Sequence, residues 1–233
     1  MASKSRAKAG VRAGKGKAGR RPPVRVKRAS DLPIMPIAVG VVLVALAVVM
    51  IVFIVQSLKP TQGPPVAGGV PCDHLEQTQI HYHAALQIVY QGNVVNLPDN
   101  LGINYTDSSQ TSVNCYYWLH VHAANKNVIH IESPASSTFT LSQFIAVWKS
   151  WAQQNGQAVP KLDATHVGTF VLTPDQKLVV YIDLQDGKGP QVFTGDPNTI
   201  QLKAHEVITL EITPPQVTPP PSWDWNSTSN QGL

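Results

Sequence analysis

Five histidines and one glutamate are concentrated in two short stretches of this chain. The first holds His81-x-His83, and the second holds His120-x-His122 followed by His130-x-Glu132. A strand turns every second side chain to the same face, so this spacing collects imidazoles on one side of a sheet. Residues 118–132 accordingly read as a hairpin. His120, His122, His130 and Glu132 fall on one face; Leu119, Val121, Ile129 and Ile131 fall on the other. With Asn125-Lys126-Asn127 as a three-residue loop, His122 is expected opposite His130, and His120 opposite Glu132. Cross-strand Cβ atoms lie roughly 4.5–5.5 Å apart, close enough for imidazoles to converge on one ion.

Neutral imidazole suits Zn, Cu, Fe and Ni, and three imidazoles with an open fourth position form a catalytic zinc arrangement. Glu132 is a candidate ligand, a partner that orients an imidazole, or a base. His81 and His83 extend that set or form a second site. The expected cofactor is a divalent transition metal, Zn or Cu foremost. Blue copper requires a Cys ligand and usually an axial Met. Met1, Met35 and Met50 all lie in or before a long apolar segment, and the two cysteines suit a bridge better. The residues show no nucleophile elbow and no phosphate loop, so metal binding without catalysis is the leading reading. A three-His metalloenzyme with metal-activated water stays open. So does a metal-free accessory or adaptor subunit, docked on a membrane-protein partner, in which the histidines respond to pH or are incidental.

The elements that must position these residues begin with a division of charge. Residues 1–30 contain eleven Lys or Arg and no acid. From Cys72 onward there are six Lys and thirteen Asp or Glu, a net −7, together with all eight His. Between them, residues 32–58 carry no charge, and 37–55 are 19 apolar or Gly residues in a row. A membrane-spanning helix needs about 20, while a cleaved signal peptide has a shorter apolar run and a small-residue cleavage site. The domain plan is a disordered basic tail (1–31), a transmembrane helix (32–58), a Pro/Gly linker (59–71), a β-rich ectodomain (72–213) and a disordered Pro-rich tail (214–233). The positive-inside rule puts the N-terminus in the cytoplasm and the His-containing domain outside a cell membrane. Membrane lipid is then the expected partner of both the helix and the basic tail. No aromatic residue interleaves the basic charges, so nothing points to nucleic acid. Cys72 and Cys115 both fall on the outer side, where oxidation is permitted, and are expected to form a disulfide.

Within the ectodomain, 79–97 reads as a hairpin turning at Gln91-Gly92-Asn93, with Tyr82, Ala84, Leu86, Ile88 and Tyr90 on the apolar face. Residues 103–114 look polar and loop-like, and Asn104 and Asn226 begin N-glycosylation triplets. Thr140-x-x-Gln143 opens a helix ending at Gly156, with Leu141, Phe144, Ile145, Trp148 and Trp151 at helical spacing. Strands are expected at 167–172, 178–184, 191–193, 199–202 and 207–212, with His166 and His205 as surface imidazoles. The fold class is α+β, mainly β, with antiparallel sheets in a sandwich-like ectodomain, one helix, and a preceding transmembrane helix.

The HxHxxL block at His81–Leu86, the LHxH block at Leu119–His122, the HIES block at His130–Ser133 and Phe139-Thr140-Leu141-Ser142-Gln143-Phe144 together resemble a family of uncharacterised single-pass microbial membrane proteins with an extracytoplasmic His-rich domain. The resemblance covers about residues 72–212. It implies one anchor and one outer domain, and it assigns no reaction. The family's hairpin turn often contains Asp and Gly, whereas Ala123 to Asn127 has neither.

Overall fold

The computed structural model describes residues 34–57 and 64–233. The basic tail and the first residues of the expected linker lie outside the described residues. Two compact units result, one on either side of Thr61. The first contains α1 (Ile34–Ser57), 24 residues without a charged side chain. At 1.5 Å per residue it is about 36 Å long, enough to cross a bilayer. From Met35 to Gln56 its side chains are exposed. Water would make that costly and a lipid phase would not.

The second unit is mainly β and starts earlier than Cys72. β1 (Val66–Ala67) and β2 (Val70–Asp73) form a hairpin. Its two-residue loop is Gly68-Gly69, both at positive φ, the backbone that tight hairpin turns require. The second half of the expected linker is thus part of the domain. β3 (Ile80–Tyr90) and β4 (Asn93–Val95) form the expected hairpin around Gln91-Gly92. Residues 103–114, expected as a loop, instead supply β5 (Ile103–Tyr105) and the start of β6 (Val113–Tyr117). Asp107 organises the turn between them, accepting bonds from Ser109, Thr111 and Ser112. β7 (Leu119–His120) and β8 (Val128–Ser133) follow, then α2 (Leu141–Gln154). Gln143 Oε1 accepts the Thr140 N–H at 3.0 Å, closing the N-terminus of α2 as the Thr-x-x-Gln spacing implies.

Beyond α2 lie β9 (Lys161–Asp163), β10 (His166–Gly168), β11 (Phe170–Val171), β12 (Lys177–Asp183), β13 (Gln191–Phe193) and β14 (Val207–Thr213). The expected strand 167–172 is folded back on itself as β10–β11, pairing His166 with Val171. Gly168, at φ +61, makes that reversal. The expected strand 199–202 reduces to a 3-10 turn at Pro197–Thr199 and a single bridge from Gln201 to Thr140. β1-β2-β6-β5 and β11-β10-β9 are small sheets. The large sheet runs β13-β12-β14-β3-β8-β7, with β4 also on β3. Its pairs are antiparallel except β3 with β14, which run parallel.

The core lies between this sheet and α2. Leu119, Ile129, Ile131, Ala84 and Leu86 come from the strands, and Phe144, Val147, Trp148 and Trp151 from α2. The Trp stripe is therefore core. Cys72 and Cys115 are bridged. Asn104 Nδ2 packs over both sulfurs at 3.6 Å and is buried, which makes its triplet unsuited to carry a glycan; Asn226 is exposed. The Pro-rich tail, expected as disordered chain, follows a defined path. Trp225 Nε1 donates to the His205 carbonyl at 2.9 Å, and Asn230 is buried.

The bridge closes a segment with a sequence separation of 43 residues. Loop-closure entropy gives it about 4 kcal/mol in the unfolded state. Replacing both cysteines with Ala is expected to lower the unfolding free energy of the detergent-solubilised protein, read from urea titration, by an amount of that order, and an unchanged midpoint would contradict it.

Candidate metal centre

Three neighbouring strands build the site. β8 is central, with β3 on one side and β7 on the other, and the register aligns His83 with His130 and His120 with His130. A row of three imidazoles thus crosses the sheet. One step along, His81 faces Glu132. All of these point away from the face that buries Leu119, Ile129 and Ile131, as the alternation predicts. The hairpin register differs from the expected one: His120 lies opposite His130 and Leu119 opposite Ile131. The connection from His122 to Val128 is longer than three residues. Asn127 holds it in a left-handed conformation, with its Oδ1 accepting the Leu97 N–H at 2.7 Å. The offset is two residues, an even number, so every side chain keeps its face.

The β7 end is set by close packing around Gly102. Gly102 O accepts the Tyr117 N–H at 2.9 Å, and Leu101 O accepts the Val121 N–H at 2.8 Å. A Cβ on Gly102 would lie 2.7 Å from Leu119 O and 3.1 Å from His120 Cβ. Only glycine fits between this turn and the histidine strand.

His81, His83, His120, His122, His130 and Glu132 all converge. His81 Nε2 is 3.0 Å from His83 Nε2, and His83 Nε2 is 3.2 Å from His130 Nδ1. His120 Nε2 is 3.1 Å from His122 Nε2. Glu132 Oε1 lies 3.3 Å from His81, 3.5 Å from His130 and 3.9 Å from His120. Two groups of donors could each hold an ion: His120, His122, His130 with Glu132, and His81, His83 with His130. A further candidate donor was missed in the sequence. Glu76 Oε1 lies 3.1 Å from His122 Nε2 and 3.6 Å from His120 Nε2. Glu76 sits on the β2–β3 loop, held by Asp73, which accepts from the Trp118 indole at 2.7 Å and from Gln77 at 3.1 Å. No periodicity marks a lone loop carboxylate.

The other histidines do not join. His74 Nδ1 bonds the Asn114 carbonyl, and His166 pairs with Asp163. His205 packs on Trp225, while its backbone N–H donates to His83 O at 2.7 Å.

His120 shows how the rings are prepared. Its Nδ1 lies 2.8 Å from the Tyr117 carbonyl, which can only accept, so Nδ1 carries the proton. Nε2 is the ring nitrogen left to face His122 and the carboxylates, and a backbone bond at the opposite nitrogen is the arrangement that orients metal-ligating imidazoles. Burial, reinforced by neighbouring rings, resists protonation elsewhere in the cluster. His83 is pushed down to about 3, His130 falls to about 2, and His122 is lowered as well. Burial raises Glu132, whereas a hydrogen bond with His120 lowers Glu76. His130 Nε2 is buried without a partner.

No protein-family model, curated protein or solved structure matches the chain. The fold and site define the class: a mainly β unit with an internally crowded imidazole–carboxylate cluster, preceded by a helix long enough to span a membrane.

The imidazoles predict an acid-sensitive fold. His83 and His130 stay neutral when folded but take up protons near pH 6.5 when unfolded, so the unfolded chain binds more protons from about pH 6.5 down to about 3. Their contribution is complete above that window and declines through it, by up to about 1.4 kcal/mol per pH unit for each ring. Glu132 and Glu206 are raised above their ordinary 4.5, Glu206 to about 7, so they have the opposite sign and offset part of the decline. With chelator present, the urea midpoint of the wild type is expected to fall more steeply from pH 7.5 to pH 5 than that of a His83→Gln/His130→Gln variant; equal slopes would show that the rings are not held neutral.

Proposed function

We propose that this is a membrane-anchored, extracytoplasmic domain that binds a divalent transition metal through its histidine cluster. The anchor is α1, and the eleven basic residues before it favour a cytoplasmic N-terminus. Anionic headgroups suit the basic tail.

The observation that carries the metal reading is the orientation of His120. Its Nδ1–H is committed to a backbone carbonyl, and its Nε2 faces another imidazole and two carboxylates at 3.1–3.9 Å. Burial holds His83 and His130 neutral, each keeping a ring lone pair, and nitrogens of the cluster lie 3.0–3.2 Å apart. A cation satisfies such lone pairs together. The donors are nitrogen and oxygen, and both cysteines are bridged. That set suits Zn(II) or Cu(II) and disfavours Cu(I).

The full chain, purified in detergent and dialysed against metal-free buffer, is expected to retain bound zinc or copper by elemental analysis. Saturating Zn(II) at about 100 times the dissociation constant should stabilise it by about 2.7 kcal/mol. Joint replacement of His83 and His130 by Ala should weaken binding at least tenfold. Absence of retained metal, together with no thermal shift on adding zinc or copper, would overturn the reading.

A further inference from the structure

Seven donors are more than one four-coordinate ion can use, and their spacing divides them. His81 Nε2, His83 Nε2, His130 Nδ1 and Glu132 Oε1 form a closed ring with successive separations of 3.0, 3.2, 3.5 and 3.3 Å. His120 Nε2, His122 Nε2 and Glu76 Oε1 form a closed triangle with sides of 3.1, 3.1 and 3.6 Å. Bonds of about 2.0–2.1 Å to a tetrahedral ion place its donors about 3.3–3.4 Å apart. The triangle has about that spacing on its three sides, and the ring has it along its four sides. Glu132 stands between them, 3.9 Å from His120 Nε2.

The sets differ in their access to water. In the ring, His83, His130 and Glu132 are buried, and His81 at its rim is 46% exposed. In the triangle, Glu76 is 40% and His122 30% exposed, while His120 is fully buried beneath them. The triangle supplies three protein donors and leaves one position toward solvent, the pattern of a site whose fourth ligand is water.

We propose that the cluster holds two divalent transition-metal ions: an inner one on His81, His83, His130 and Glu132, and an outer, exchangeable one on Glu76, His120 and His122 with an open fourth position. This rests on the metal-binding reading above and adds a second ion, an unsuspected ligand and a difference in lability. Two dications bring four positive charges to two carboxylates, so the outer ion is the weaker of the two. The open position suits a water or a small anion from solution.

The test uses the full chain in detergent with Zn(II), and Co(II) as a spectroscopic probe. The wild type is expected to bind two equivalents, one lost rapidly to a weak chelator. Glu76→Ala and Glu76→Gln should each bind one equivalent, retained against that chelator. Co(II) titration should show two successive visible spectra in the wild type and only the first in the variants. One equivalent in the wild type, unaffected by either Glu76 variant, would overturn the two-ion assignment and leave the metal-binding reading standing. Two tight equivalents in Glu76→Ala would remove Glu76 from the outer site and overturn the proposal. No metal in any form would overturn both.

Discussion

Everything in the site depends on the registry of three strands. β3, β8 and β7 run side by side so that His83, His130 and His120 occupy one row. A sheet fixes that alignment through its backbone bonds, and the apolar residues behind it resist any odd-numbered slip, which would bury imidazoles in the core and expose Leu119 and Ile131. The same residues that hold α2 against the sheet therefore determine where the nitrogens meet. Hydrophobic packing sets the geometry; the polar cluster inherits it.

That inheritance is costly. Five rings pressed together have few protons to share, and burial pushes His83, His130 and His122 away from the charged form. Two carboxylates accompany them, one buried at Glu132 and one half-exposed at Glu76. Among the described residues, none of the ion pairs recorded for these two carboxylates involves Lys or Arg. A buried imidazole nitrogen at His130 is left without a partner. Folded proteins usually satisfy such groups, and the proposed metal ion would do so here.

Much of this was legible in the sequence. Alternation gave the two faces of β3 and β8, helical spacing gave α2, and the charge-free run gave α1. The register was misjudged by two residues because Asn127 adopts a left-handed turn that its sequence context does not announce. Parity survived, and with it the membership of the cluster. Glu76 was invisible because it is a single loop residue brought to His122 across 46 positions by the β2–β6 pairing. The parallel pairing of β3 with β14 was likewise hidden, since it joins chain ends with no local signal. Gly68-Gly69 was read as linker composition, although two glycines between Ala67 and Val70 also fit a hairpin.

The disulfide has a consequence for how the donors assemble. Glu76, His81 and His83 lie inside the segment that Cys72 and Cys115 close, while His120, His122, His130 and Glu132 follow within a short stretch. The crosslink therefore ties the two halves of the ligand set together before any ion arrives. On the proposed metal-binding reading, a cation would enter a cage already tied together, unlike one that must fold its own finger. Loading and stripping would then be reversible chemistry on a standing scaffold, with affinity set by coordination rather than by the stability of the chain.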